Sequence, residues 1–405
     1  MIDPALTRRQ ALATVGTAVL CSCSGCTVLS TEGTQTVPTT QFRSGLQNRG
    51  HVDKSIPTTV EVEAQWAVPT NRGDHSASKG SPVQTATGRI VVADDTGRVR
   101  SLTPEGVIQW ETTITDAQRG SHGTPAIANE TIYIGAYDGM ITALAVGSGD
   151  IQWQTDVGDA VGASPTYYDG RLYVAVEHDT PSGSVVAIDA LTGEIEWEDE
   201  RPTDHPHSTI TIDQEHNRLL CGSNDGYCYA WSFPDLKRKW AYDTGGDVKA
   251  PIAVSDGIAI IPSWANTLTG VDVTDGSRQW VFEADDDIMC APAVHNGTVY
   301  VGSHDTNCYA IDIDTGSEVW KTETGGWITG SAVATRDHVL VGSYDSQLYA
   351  LTQADGSVSW TFEARGEVTG APCVTAEAIY FTERAEDGER TQPGRCYRLV
   401  ETARE

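Results

Sequence analysis

The stretch GSHDTNCYAIDIDTGSEVW, in the last third of the chain, contains residue types that often do chemistry in proteins. His304 and Asp305 stand side by side, as in a hydrogen-bonded acid–base pair. Asp312 and Asp314 alternate ahead of Gly316, which is how a calcium loop begins, because Ca²⁺ takes carboxylate oxygens from alternate positions around a glycine turn. The stretch therefore raises two hypotheses, a catalytic pair and a metal loop.

The same positions recur along the chain, and their neighbours indicate turns instead. A glycine stands four residues before a tryptophan in all but one equivalent unit, where Leu236 replaces it; the glycines are Gly106, Gly149, Gly193, Gly276, Gly316 and Gly356. The position of Asp314 varies among the units, as a metal ligand would not. The aspartate of the His–Asp pair recurs as Asp138, Asp225 and Asp345. Both features are interpreted as tight turns, where glycine and aspartate are favoured.

The elements that position these residues follow from a repeat. Tryptophans fall 40 to 44 residues apart, at Trp66, Trp110, Trp153, Trp197, Trp240, Trp280, Trp320 and Trp360. Most units contain an apolar run after a small-residue–Pro pair, an alternating strand, a tight turn, a third strand and a last strand ending on tryptophan. Four short strands in about 40 residues describe one blade of a β-propeller. We therefore predict an all-β, eight-bladed β-propeller.

The blade count depends on the two ends of the repeat. After Trp360 the chain supplies three more strands and no further tryptophan strand. The strand VEVEAQWAVP, which carries Trp66, precedes the first complete unit. We predict that this N-terminal strand closes the last blade, which leaves the ring without an open end.

The loops that enter the first strand of each unit are predicted to converge at the axis of the ring. Their polar residues differ from blade to blade, whereas the rest of the unit repeats. The candidate residues of an axial ligand site are His75, His122, His207, Lys249, Asp287 and Trp327. A binding mouth accounts for such variety, and rim loops with scattered charges are the alternative.

Six cysteines follow the N-terminal segment: Cys221, Cys228, Cys290, Cys308, Cys373 and Cys396. An even number permits disulfides in an exported protein. The first and third strands of one blade lie two sheet spacings apart, about 9–10 Å, which is too far for a bridge. Only Cys221 and Cys228, which flank one hairpin, could pair within a blade, and buried free thiols are the alternative.

Two Asn-x-Thr sequences, at Asn129 and Asn296, fit the acceptor pattern for surface glycosylation. Both fall at the predicted turn between the first and second strands of a unit. Asn-Gly at residue 296 is also a favourable turn sequence. The sequence leaves glycosylation and simple turn formation as alternatives.

The first 26 residues are predicted to be an export signal. Arg8 and Arg9 precede an apolar run too short to span a bilayer, and Cys26 follows it. The pattern resembles a twin-arginine signal ending in a lipobox, with Cys26 as the lipidated residue. Residues 27–58 are rich in Thr, Gly and Pro and are predicted to form a flexible tether to a propeller over residues 59–402. The predicted location is the outer face of the cytoplasmic membrane.

The charge of the chain excludes one class of partner. Acidic residues outnumber basic ones by 56 to 27, and the formal net charge is −29. Such a surface repels nucleic acid and anionic lipid, so we expect no nucleic-acid partner and membrane contact only through the lipid anchor. The basic residues comprise 6 lysines and 21 arginines. Acidic excess with few lysines resembles proteins of salt-loving organisms, and acidity for solubility is the alternative.

The repeats resemble the pyrroloquinoline-quinone-type (PQQ-like) propeller repeats. AIDALTG before Trp197 and AIDIDTG before Trp320 carry the resemblance, and the lead-in QFRSGLQNRG resembles the segment that precedes such propellers. The resemblance implies the propeller fold. It does not fix function, because the family includes quinone dehydrogenases as well as cofactor-free lipoproteins of the BamB type.

We therefore expect an exported, lipid-anchored and monomeric propeller that binds or scaffolds other cell-envelope proteins, with no enzyme activity and no cofactor. One alternative is a small PQQ-dependent dehydrogenase with PQQ and calcium. Another is a sensor that takes a quinone or a sugar in the axial funnel. The resemblance implies that a quinone dehydrogenase would carry a vicinal Cys-Cys pair and long insertions between blades. This sequence has neither feature, which weakens the enzyme alternative.

Overall fold

The computed structural model describes residues 40–57, 62–71, 80–384 and 393–401. In these ranges the regular elements are β-strands, apart from a short 3-10 helix at Phe42–Ser44. None of the described elements is a helix long and apolar enough to cross a bilayer. The predictions that concern residues outside these ranges are those for Arg8, Arg9, Cys26 and His75.

The described residues form 32 strands in eight four-stranded antiparallel sheets, and each sheet is one blade. The N-terminal strand is β1 (Val62–Asn71). Blade 1 contains β2 (Val83–Gln84), β3 (Ile90–Ala93), β4 (Arg98–Leu102) and β5 (Ile108–Thr113). Blade 2 contains β6 (Ala126–Ala128), β7 (Thr131–Gly135), β8 (Met140–Ala145) and β9 (Ile151–Asp156). Blade 3 contains β10 (Thr166–Tyr168), β11 (Arg171–His178), β12 (Ser182–Asp189) and β13 (Ile195–Asp199). Blade 4 contains β14 (Thr211–Asp213), β15 (Arg218–Gly222), β16 (Tyr227–Ser232) and β17 (Arg238–Asp243).

The remaining blades follow the same order from the inner to the outer strand. Blade 5 contains β18 (Ala253–Ser255), β19 (Ile258–Ser263), β20 (Thr267–Asp272) and β21 (Arg278–Glu283). Blade 6 contains β22 (Ala293–His295), β23 (Thr298–Gly302), β24 (Asn307–Asp312) and β25 (Glu318–Glu323). Blade 7 contains β26 (Val333–Ala334), β27 (His338–Gly342), β28 (Gln347–Thr352) and β29 (Val358–Glu363). Blade 8 contains β30 (Cys373–Val374), β31 (Ile379–Thr382) and β32 (Gly394–Glu401), with β1 as its outer strand.

The closure of the ring by the N-terminal strand is confirmed. β1 pairs antiparallel with β32, with Trp66 opposite Arg398, so the outer strand of blade 8 comes from the other end of the propeller sequence. The two middle strands of each blade are almost wholly buried, because neighbouring sheets cover both of their faces. The prediction of an eight-bladed all-β propeller is correct.

The repeating tryptophans join neighbouring blades. In seven of the eight positions the described structure has the indole N–H donating to a main-chain carbonyl outside the tryptophan's own blade: Trp66 to Pro104, Trp110 to Val146, Trp153 to Ala190, Trp240 to Val273, Trp280 to Ile313, Trp320 to Gln353 and Trp360 to Pro57. Trp197 instead meets Trp231 edge to face, at a ring-centroid distance of 6.1 Å. Trp197 also faces the one unit in which Leu236 replaces the recurring glycine.

The DIDTGSE stretch is a hairpin turn, as predicted. The Asp312 carboxylate accepts the Thr315 N–H at 2.9 Å, and the Gly316 N–H donates to the Asp312 carbonyl at 2.9 Å. Asp305 caps its own turn by accepting the Asn307 N–H at 2.9 Å. These carboxylates therefore have local structural partners.

The predicted tether is wrong over residues 40–57, which are part of the propeller. The segment crosses the C-terminal ends of the inner strands and hydrogen-bonds to blades 2–7 in turn: Thr40 to Ile127, Gln41 to Tyr167, Leu46 to Ile212, Gln47 to Val254, Arg49 to Val294, and Gly50 and Val52 to Ala334. Composition could not reveal this, because the backbone of the segment supplies most of these bonds. The other residues of the predicted tether lie outside the described ranges.

Arg43 fixes this segment at the axis. Its side chain is buried, and it donates to the Asn48 carbonyl at 2.9 Å, the Ala291 carbonyl at 3.2 Å and the Pro292 carbonyl at 2.5 Å. Burial lowers the pKa of Arg43 to about 10. Gly50, at φ +56°, must lack a side chain, since a Cβ there would overlap the guanidinium. Residues Phe42, Arg43, Asn48 and Gly50 of the QFRSGLQNRG lead-in therefore form a structural motif.

Each of the six described cysteines is a free thiol, and five of them are buried. Cys228 stands opposite Gly222 and Cys221 opposite Tyr229 in the β15–β16 ladder, so the two cysteines are offset by one residue and point to opposite faces of the sheet. Asn129 and Asn296 are exposed and lie in the predicted turns between first and second strands.

Candidate functional site

A cavity of about 440 Å³ lies at the axis of the ring. Its walls come from the loops that enter the inner strands of blades 2–8 and from the turns between second and third strands. Phe42 of the N-terminal segment lies at its floor, because that segment crosses the opposite ends of the inner strands. The volume is in the range of small-molecule sites.

Four of the six residues predicted for the axial site come together here. His122, His207, Lys249 and Trp327 line the cavity. Asp287 does not line it, and its carbonyl accepts the His304 N–H at 2.9 Å. Burial, and then the neighbouring Asp286 carboxylate, raise the pKa of Asp287.

The wall formed by blades 2–4 is polar. His122 is buried, with Nε2 3.5 Å from an Asp95 carboxylate oxygen, and its ring meets Tyr137 edge to face at 4.5 Å. The His207 Nδ1 lies 3.1 Å from the Glu177 carboxylate. These pairs hold the two imidazoles in fixed positions on the wall.

Gly162 leaves room for the polar groups of this wall. A Cβ at Gly162 would come within 2.7 Å of the Tyr137 hydroxyl and within 2.8 Å of both Glu177 Oε1 and His207 Nδ1. Three polar atoms from different blades therefore converge on the space that the glycine leaves open.

The opposite wall, formed by blades 5–7, is a row of aromatic rings. His304 stacks on Trp327 with ring centroids 4.9 Å apart and an interplanar angle of 13°. Trp264 lies 6.4 Å from His304, and Tyr344 lies 5.8 Å from Trp327. The Lys249 ammonium sits 3.3 Å from the Trp264 ring centre, a cation–π contact. Burial lowers the pKa of His304, against the opposing effect of Asp287.

Sequence reasoning missed three of the four rings of this aromatic wall, since only Trp327 was predicted for the site. His304 was interpreted only as part of a turn, yet the residue before the recurring turn aspartate lines the cavity, as Tyr137, His304 and Tyr344 show. Trp264 occupies the same place in blade 5. The signal was present, since this position varies in type while the aspartate after it recurs.

No group of three or more His, Cys, Asp or Glu side chains among the described residues could hold an ion. The cavity lining also contains no aspartate or glutamate within the described part, whereas Ca²⁺ is bound by several oxygen ligands.

Fold and site together define an eight-bladed β-propeller of the PQQ-like repeat type with an axial cavity. The chain belongs to the family described as outer membrane protein assembly factor BamB, whose profile matches residues 95–214, 207–326 and 287–385.

Individual relatives are distant. BamB of Yersinia pestis is 26% identical over 210 residues, covering 48% of this chain and 51% of the relative. BamB of Escherichia coli K12 is 27% identical over 200 residues, covering 46% and 48%. The chain thus spans about half the length of the curated relatives it matches. A polyvinylalcohol dehydrogenase of a Pseudomonas species is 25% identical over 37% of this chain and 26% of that protein.

Solved structures agree in fold. A europium-containing methanol dehydrogenase superposes with a TM-score of 0.76 at 13% identity, over 90% of this chain and 98% of that one. BamB from Moraxella catarrhalis superposes with a TM-score of 0.66 at 16% identity, over 84% and 100%. At these identities the likeness establishes the architecture alone.

Proposed function

We propose that this protein is an exported, lipid-anchored propeller of the cell envelope that binds another envelope protein through the mouth of its axial cavity. Membership in a family named for an assembly factor supports a binding role over an enzymatic one. Lipidation of Cys26 after a twin-arginine signal would hold the propeller at the membrane. Mass spectrometry of purified protein, compared with a Cys26→Ser variant, tests the anchor.

The observation that carries the proposal is the exposure of Trp327. Its side chain is 49% exposed at the mouth, and it is the one exposed tryptophan among the described residues. Exposed indoles are rare on soluble surfaces and are enriched in the energetic centres of protein interfaces. Stacking on His304 holds the ring in place, so little conformational entropy is lost when a partner covers it.

The test is co-purification of chemically crosslinked partners from solubilised membranes. Trp327→Ala should remove the crosslinked species that the wild-type protein yields. Leu191→Ala is the matched control, because Leu191 is 85% exposed and lies in an outer turn of blade 3. Retention of the same species by Trp327→Ala would exclude the mouth as the partner site.

A small PQQ-dependent dehydrogenase is the rival function, and only the fold supports it. The cavity lining offers no carboxylate in the described part, which does not suit a calcium-assisted quinone. Purified protein incubated with PQQ and Ca²⁺ should therefore show no dye-linked alcohol oxidation. Such oxidation would favour the enzyme.

A further inference from the structure

The lining of the axial cavity is one-sided in its hydrogen-bonding chemistry. The described lining residues include Arg119, Lys249, three histidines and several hydroxyl side chains, and none of them is an aspartate or glutamate. This composition contrasts with a chain that has 56 acidic and 27 basic residues. A ligand of such a cavity meets hydrogen-bond donors on the wall and no carboxylate acceptor among the described lining residues.

Three hydroxyls on the wall of blades 2–4 have a proton to donate. Thr124 Oγ1 accepts the Ser81 N–H at 2.9 Å, Ser164 Oγ accepts the Thr124 N–H at 2.9 Å, and Thr209 Oγ1 accepts the Ser164 N–H at 3.1 Å. All three side chains are at least 95% buried. Among the described residues none of these hydroxyls donates a hydrogen bond, although each carries one donor. A buried hydroxyl that donates to no group of the protein needs an acceptor in the cavity.

The carboxylates near the cavity are already engaged. They stand behind the lining and pair with three of its nitrogen-bearing side chains: Asp95 with His122 at 3.5 Å, Glu177 with His207 at 3.1 Å and Asp247 with Lys249 at 3.1 Å. These pairs hold the three side chains at the wall. Arg119 is exposed, with its guanidinium 5.6 Å from the Tyr137 ring centre.

The opposite wall presents flat aromatic surface. Trp264, His304 and Trp327 form the central part of the row, and the half-exposed Trp327 lies at the mouth. Indole faces pack well against aromatic rings and against the C–H faces of sugar rings. The two walls therefore select different parts of one ligand.

We propose that the axial cavity binds a ring compound that carries a carboxylate. The carboxylate takes the hydroxyl protons of blades 2–4 together with the charged side chains of Arg119 and Lys249, and the ring lies against the tryptophans of blades 5–7. This small-molecule site goes beyond the protein-binding role of the mouth and needs no partner protein. An aromatic acid and a sugar acid share this chemistry, and the experiment separates them.

Isothermal titration calorimetry on the purified full chain provides the test, at constant ionic strength. Benzoate and glucuronate are the probes, and benzamide and glucose are their uncharged counterparts. At least one acid should give saturable heat, with affinity about tenfold or more above its uncharged counterpart, because charged hydrogen bonds to a carboxylate are lost in the latter. The acid that binds identifies the ligand class.

Charge-matched variants locate the binding. Arg119→Gln and Lys249→Gln should each weaken binding of the active acid about tenfold, while Arg278→Gln and Lys237→Gln, on or beside outer strands, should change it less than twofold. Unchanged melting temperatures verify that the lining variants fold. Absence of saturable heat with both acids, or equal losses in lining and outer variants, would overturn the inference. Neither result bears on the crosslinking experiment, so the two proposals fail separately.

Discussion

Gly316 lies so close to the indole of Trp280 that a Cβ on this glycine would come within 2.8 Å of the ring. The recurring glycine therefore has two roles, since its φ of +70° makes the turn and its missing side chain seats the tryptophan of the preceding blade. The same contact recurs between Gly356 and Trp320 and between Gly149 and Trp110.

Gly316→Ala should destabilise the propeller more than a glycine substitution that meets only backbone strain. Gly170 is the matched control, with φ +81° and no atom within 4 Å of the position that a Cβ would take. Both substitutions cost about 1–2 kcal/mol for a left-handed conformation. Overpacking against Trp280 should add about 1–3 kcal/mol at Gly316, measured by urea unfolding. Equal losses would mean that the interface adjusts freely.

Trp320→Phe should cost about 1 kcal/mol more than Trp197→Phe. The Trp320 indole donates to the Gln353 carbonyl at 2.9 Å, and phenylalanine leaves that carbonyl without its donor. In the described structure Trp197 makes an edge-to-face contact with Trp231 and no such bond. Chemical denaturation of the two variants gives the difference, and a larger loss for Trp197→Phe would contradict the assigned role of the indole N–H.

Arg43→Met should reduce the unfolding free energy by about 3 kcal/mol or more, because three buried carbonyls lose their donor. The comparison is Arg336→Met, since Arg336 forms an exposed ion pair with Asp53 and its loss should leave the unfolding midpoint unchanged. If Arg43→Met behaved like Arg336→Met, the N-terminal segment would not be an integral part of the ring.

His338 should lower the free energy of unfolding in mild acid. Burial lowers its pKa in the folded state, so the unfolded chain binds its proton first. The contribution to stability is complete above about pH 6.5 and is lost as the pH falls from there towards the folded pKa. His338→Gln should show a smaller fall in unfolding free energy between pH 7.5 and 5 than the wild type. NMR titration should place the His338 midpoint below that of the urea-unfolded chain.

The six thiols of the propeller should react only after unfolding. Burial raises the pKa of Cys373 to about 12 and also raises the pKa values of the other five, so little thiolate is present at pH 8. A thiol reagent should label none of them in the native protein and all of them in urea without reductant. Fewer than six labelled thiols in urea would indicate a disulfide.

The sequence by itself determined the architecture, because each blade of the propeller is specified by local sequence signals that repeat along the chain. Tryptophan spacing set the number of blades, and the position of Trp66 before the first complete unit predicted the closure that pairs β1 with β32. Glycine and aspartate at fixed places identified turns correctly, since turn chemistry depends on neighbouring residues alone.

Only the tertiary structure decided how residues far apart in the chain are combined. It joined residues 40–57 to the inner strands of six blades, in five of them through main-chain hydrogen bonds, which leave no trace in composition, and in blade 3 through the Gln41 side chain. It also brought His304 from a turn in blade 6 onto the same wall as Trp264 and Trp327. Contacts between blades at the axis form only when all eight blades close the ring. A local sequence pattern therefore predicts a turn, but it does not predict which residues of other blades the neighbouring side chain contacts.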